Sequence, residues 1–99
     1  MAVIRNVRFK ADVDDVNSML DKRARLLAAV RTAFPGLTGA RLVRMDDETW
    51  LDSWRWSSLD AMQAALAGGP GLPEAAAAFA LVRDATEERG ELVDEEAWA

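Results

Sequence analysis

Between positions 49 and 58 the sequence reads TWLDSWRWSS, which sets an aspartate, Asp52, among three of the chain's four tryptophans. Side chains alternate between faces along a β-strand, so this stretch as a strand puts Trp50, Asp52, Trp54 and Trp56 on one face. Leu51, Ser53 and Arg55 then share the other. Flat aromatic walls carrying one or two polar groups are how pockets for planar ligands are built. Three tryptophans on one face also make an ordinary core, and the sequence leaves both uses open. A carboxylate set among indoles has two chemical uses. With its pKa raised by desolvation it acts as a base, and next to a cation it becomes half of an ion pair.

One cation is placed to meet it. On a helical wheel Val16, Met19, Leu20, Leu27, Val30 and Phe34 form an apolar stripe, and Arg23 lies inside that stripe. A guanidinium aimed at a sheet is costly unless it finds a carboxylate or open water. Arg23 therefore either snorkels along the helix edge to solvent or meets Asp52 in a helix–sheet cleft.

Composition removes most other chemistry. The chain has no cysteine, histidine or tyrosine, so disulfides, thiolate metal sites, cysteine nucleophiles and the usual imidazole base are excluded. No metal site is expected. A net charge of −5 argues against nucleic acid as a partner. Residues 1–44 carry nine basic groups against four acids, and residues 45–99 carry three against thirteen. The simplest use of this asymmetry is complementary packing of the two halves, with EERGELVDEE as an acidic interaction tail the sharper alternative. No apolar run approaches a membrane span, and MAVIRNVRFK lacks the apolar region of a signal peptide. A cytoplasmic location and no membrane partner are expected.

The elements that must position Asp52 and Arg23 follow from periodicity and turn chemistry. AVIRNVRFK alternates Val3, Val7 and Phe9 against Asn6, Arg8 and Lys10, a strand. The face of this strand that lines a site, and with it any part for Asn6 and Arg8, is left open. ADVDD supplies N-cap candidates for a helix that runs to about Phe34 and stops at Pro35-Gly36. GARLVRM and Thr49 to Ser57 form a hairpin across Asp46-Asp47-Glu48. Ser57 or Ser58 caps a helix at LDAMQAALA, with Asp60 near N3 in capping-box style. GGPGLP breaks that helix, and Pro73 opens another over EAAAAFALVRD. A short last strand is expected around Gly90 to Asp94.

The order is β-α-β-β-α-β, an α+β, ferredoxin-like arrangement with an antiparallel sheet in a single domain over residues 1–99. Its strands carry apolar residues on both faces. Helices cover one face, and a second copy of the chain is the economical cover for the other.

Through W-x-W-S-S-L-D-A-M (Trp54 to Met62), and in the order of its elements along essentially the whole chain, the sequence resembles the antibiotic biosynthesis monooxygenase-like family. The resemblance implies a homodimeric α/β barrel, each subunit holding a pocket between its own helices and sheet. It further implies oxidation of anthrone-type polyketides by O₂ without a cofactor, with a tryptophan and an asparagine in the pocket. Trp56 stands in the tryptophan's place, whereas the asparagine's place holds Asp52. Asparagine can donate to a phenolate-like oxygen, but an ionised aspartate only accepts. The haem-degrading branch needs an axial ligand, and this chain has no histidine to supply it.

The resulting expectation is a cofactor-free monooxygenase for a small planar aromatic, polyketide-like or phenolic molecule. Asp52 is base or orienter, Trp54 and Trp56 form the wall, and Arg23 is charge partner or oxyanion stabiliser. The alternative is a non-catalytic carrier or structural dimer, in which Arg23–Asp52 is a buried ion pair and the tryptophans are core.

Overall fold

The structure, a computed structural model, describes residues 1–98. Four strands form one antiparallel sheet in the order β2-β3-β1-β4: β1 (Val3–Lys10), β2 (Leu37–Arg44), β3 (Thr49–Trp56) and β4 (Arg83–Glu91). Helix α1 (Val16–Ala33), entered through a 3₁₀ turn at Val13–Asp15, connects β1 to β2. Two shorter helices, α2 (Leu59–Gly68) and α3 (Pro73–Phe79), connect β3 to β4 across a second 3₁₀ turn at Gly69–Gly71. This is the expected ferredoxin-like order, with the second crossover helix cut in two by GGPGLP. Among the described residues no helix is long and apolar enough to cross a membrane.

Alternation along β3 is as the sequence predicts. Trp50, Asp52 and Trp56 are buried beneath the helices. On β1 the register pairs Val3 with Trp56, Arg5 with Trp54, Val7 with Asp52 and Phe9 with Trp50. Since directly opposed residues of an antiparallel pair share a face, the odd positions of β1 face the helices. Asn6 and Arg8 are thereby on the helix-free face, where Asn6 Oδ1 accepts a hydrogen bond from Ser53 Oγ at 2.6 Å.

The buried side of α1 is rotated from the stripe drawn on the wheel. Met19, Leu26 and Val30 are buried, whereas Leu20 is 40% exposed. Met19, Arg23, Leu26 and Val30 follow the i, i+4, i+7, i+11 spacing of one helix face, so Arg23 sits at the centre of the buried side. No side-chain cap bond forms at Asp12 or Asp15. Ser58 caps α2, its side chain accepting from Ala61 N–H at 3.1 Å. Asp60 is one residue short of the capping-box position, with only Leu59 between it and the cap. The approach of β2 to α2 demands a glycine at position 36: a Cβ there would lie 2.5 Å from that of Ala61.

The last segment departs from the sequence reading. Helix α3 ends at Phe79, and β4 covers Arg83–Glu91 rather than Gly90 to Asp94. Leu81 and Val82, expected to continue the helix, instead pack against the cluster around Phe9 and Trp50. Every residue of β4 is exposed, so it carries no apolar alternation. Its pairing is supplied by the β1 backbone and by cross-strand charge, including Arg5 with Glu87.

Two apolar clusters make the core. One gathers Val3, Leu26, Val30, Leu37, Trp56 and Met62 with alanines of α2 and α3. The other gathers Phe9, Ala11, Met19 and Trp50. Asp52 lies on β3 between Trp50 of the second cluster and Trp56 of the first, at the seam.

Candidate functional site

Asp52 is the one charged residue buried among the described residues, with 9% of its surface exposed. Its solvation is replaced by three donors. Arg23 Nε donates to Oδ2 and Arg23 Nη2 to Oδ1, each at 2.8 Å. Trp54 Nε1 donates to Oδ1, also at 2.8 Å. Of the two routes open to Arg23 in the sequence, the structure takes the meeting with Asp52. The contact is the bidentate fork that matches guanidinium to carboxylate, and it adds direction to charge attraction. The third bond ties Trp54 to the pair, two positions along the same strand face. Oδ1 takes two hydrogen bonds and Oδ2 one, so the open acceptor position of the carboxylate is on Oδ2.

These residues line a cavity of about 410 Å³ between the sheet and the helices. Its floor is Arg5, Val7 and Phe9 of β1 with Asp52, Trp54 and Trp56 of β3. Met19, Arg23, Leu26 and Val30 of α1 form one wall. The opposite wall is made mainly of small groups, Ala65, Gly69, Pro70 and Ala78, with Leu66, Phe79 and Val82 beside them. The Trp54 and Trp56 rings are 6.4 Å apart, centroid to centroid, and tilted by 42°. The wall is thus apolar and aromatic, with its polar groups gathered at Arg5, Arg23, Asp52 and the Trp54 indole nitrogen.

The Trp56 indole nitrogen is buried without a hydrogen-bond partner, and the residue is only 3% exposed. A buried donor left unsatisfied costs about 1–3 kcal/mol. Trp50 Nε1 is also unpartnered, but Trp50 does not line the cavity; the Arg44 guanidinium stacks 5.0 Å from its ring centre.

All four residues singled out in the sequence, Arg23, Asp52, Trp54 and Trp56, therefore converge on one cavity. Arg5 was missed, although it shares strand parity with Val3, Val7 and Phe9. Arg5 Nε donates to Glu87 on β4, and Arg89 Nη2 donates to the other oxygen of that carboxylate at 2.6 Å. Hydrogen bonds from Arg89 and Arg5 hold the Glu87 carboxyl below the usual carboxylate range. Among the described residues no group of three or more acids is placed to hold a metal ion.

The fold and site define a class, the ferredoxin-like α+β proteins with a pocket between sheet and helices. A dimeric ferredoxin-like protein from an uncultured marine organism has this fold, with a TM-score of 0.72 at 13% identity over 99% of this chain and 93% of that one. Within the class, the chain is similar to SnoaB, a cofactor-independent oxygenase from Streptomyces nogalater. The identity is 27% and the TM-score 0.69, over 97% of this chain and 95% of SnoaB. A candidate antibiotic biosynthesis monooxygenase from Caulobacter crescentus superposes with a TM-score of 0.76 at 16% identity, over 94% and 91% of the two chains. The resemblance read at Trp54 to Met62 thus extends to three dimensions, and the chain has the antibiotic biosynthesis monooxygenase-like fold. No family model and no curated protein sequence matches the chain.

Truncating Asp52 strands the Arg23 guanidinium with little solvent, since its side chain is 18% exposed. Asp52→Ala should cost about 3 kcal/mol, a fall in Tm of roughly 10–20 °C for a domain of this size. Arg23→Leu combined with Asp52→Ala should recover at least half of that loss. Thermal unfolding of the single and double variants tests this, and strict additivity would remove the coupling.

Proposed function

We propose that this protein is a cofactor-independent monooxygenase that acts, as a homodimer, on a small planar aromatic substrate of phenolic or polyketide-like type. The observation that carries this reading is the apolar, aromatic cavity walled by Trp54 and Trp56 that also holds Asp52 with an open acceptor position on Oδ2. The Trp56 N–H, unpartnered within the protein, becomes a donor to a developing oxyanion once its ring turns toward the cavity, which is the condition for differential stabilisation. The similarity to SnoaB, a cofactor-independent oxygenase, supports the same chemistry.

The residues divide the work as follows. Trp54 and Trp56 hold the ring system, Trp54 with its indole fixed by Asp52. The open position of Asp52 Oδ2 accepts a proton from an acidic CH₂ that lies between the rings or beside a carbonyl. Trp56 N–H meets the oxygen over which the carbanion's charge spreads. The carbanion reacts with O₂; one oxygen atom becomes the new carbonyl, and the other leaves as water with the two hydrogens of the CH₂. Such chemistry asks chiefly for a substrate carbanion held dry beside O₂. Arg23 keeps the Asp52 carboxylate in place and brings positive charge to the same wall.

The helix-free face of the sheet supports the dimer. It presents Ile4, Leu51 and Val43, with Val43 43% exposed. The dimeric ferredoxin-like neighbour is consistent with a second copy as cover. Light scattering at micromolar concentration should return twice the chain mass; the chain mass alone would remove the dimer from this reading.

A second reading, a non-catalytic binding or structural protein, draws on the completeness of the Arg23–Asp52–Trp54 network, which needs no ligand to satisfy Asp52. Oxygen uptake separates the two. With an anthrone-type substrate and chelator present, the wild type should consume O₂, and Trp56→Phe should lower kcat by about 100-fold, the scale for loss of one oxyanion donor. Its Tm should change by only a few degrees. A turnover that survives Trp56→Phe, or no uptake across a panel of anthrones and phenols, favours the non-catalytic reading.

A further inference from the structure

We infer that the substrate carries a carboxylate and that Arg5 is the residue that selects it; this rests on the reading of the cavity as a site for a planar aromatic. Two cations line the cavity, Arg5 and Arg23. Arg23 is matched by Asp52 through two hydrogen bonds, so that pair carries no net charge. Arg5 is matched only in part. Its partner Glu87 is shared with Arg89, leaving one net positive charge over the three residues. The chain as a whole carries −5, so this local excess opposes the general trend of the molecule.

Geometry adds direction. Arg5 engages Glu87 through Nε alone, and neither of its terminal nitrogens donates a hydrogen bond among the described residues. The end of the guanidinium keeps the parallel pair of N–H groups that matches a carboxylate bidentately. Arg5 is the direct cross-strand partner of Trp54, on the face that lines the cavity. Opposed residues on one face have Cβ atoms about 5 Å apart, so a ring stacked on Trp54 places its substituent beside Arg5. The Arg5 side chain is 30% exposed, which leaves a charged substituent partly hydrated and avoids the cost of burying it dry. The cavity is thereby polarised. Its aromatic wall and the Arg23–Asp52 pair take the reacting rings, and Arg5 takes the anionic substituent and sets the orientation.

Isothermal titration with anthraquinone-2-carboxylate and anthraquinone-2-carboxamide tests the inference at low salt and pH 7.5. The wild type should bind the carboxylate about tenfold tighter than the amide, in keeping with a charge-assisted hydrogen bond at a partly hydrated site. Arg5→Gln should reduce carboxylate binding to the level of the amide while leaving the amide within twofold of wild type. Arg5→Lys, which keeps the charge and loses the fork, should fall between. Amide binding equal to carboxylate binding in the wild type overturns the inference but leaves the aromatic pocket standing. A preference that persists in Arg5→Gln overturns it as well. Failure of both compounds to bind the wild type sinks the pocket reading and the inference together. The comparison within the wild type decides the matter even where a variant folds poorly.

Discussion

The buried ion pair between Arg23 and Asp52 is the constraint around which the rest of the site is arranged. Removing two charges from water costs several kcal/mol per ion, and only close geometry with further hydrogen bonds offsets it. Here the fork from Arg23 and the indole N–H of Trp54 provide that geometry. The pair fixes the rotation of α1 over the sheet, because Arg23 must stand above the β3 position that holds Asp52. Leu26 is thereby turned inward and Leu20 outward. It also sets the plane of Trp54, whose half-buried indole is tied to Asp52 Oδ1.

The same pair divides the core. Apolar clusters lie on either side of it, one around Trp56 and Met62, the other around Phe9 and Trp50. A continuous hydrophobic core would close over the sheet. Instead the seam stays open, because large aromatic groups rise from the sheet while the helices opposite present Ala65, Gly69 and Ala78. Small residues on one wall and indoles on the other leave a slot suited to a flat molecule. Close packing elsewhere, as where Gly36 meets Ala61, holds the first turn of α2 in register with the end of β3.

The parts of this arrangement that depend on strict periodicity were legible in the sequence. Trp50, Asp52, Trp54 and Trp56 share a face because a strand alternates, and no tertiary contact alters that. The polar intruder in a helical stripe, Arg23, was equally visible, although its choice between Asp52 and solvent depended on how α1 rolls against the sheet. Strand β4 was not legible. RDATEERGE has Ala85 as its one apolar side chain, and its pairing comes from the exposed edge of β1 and from charge, neither of which leaves a hydropathy pattern. The apolar Leu81 and Val82 drew the helix too far, and Leu92 and Val93 drew the strand too late. Arg5 was overlooked for a related reason: a charged residue among Val3, Val7 and Phe9 reads as surface until the register shows that the face beneath it encloses a cavity.

The central claim is that the Asp52-tethered indole of Trp54 forms the wall of an aromatic-binding pocket rather than part of a dry core. Intrinsic tryptophan fluorescence, titrated with tricyclic and tetracyclic phenols on the wild type and on Trp54→Phe, tests it most directly. Saturable quenching in the wild type, weakened at least several-fold in the variant, is the predicted result. Absence of quenching across the panel, with emission already blue-shifted as for dry indoles, would contradict the account and return the stretch TWLDSWRWSS to the core.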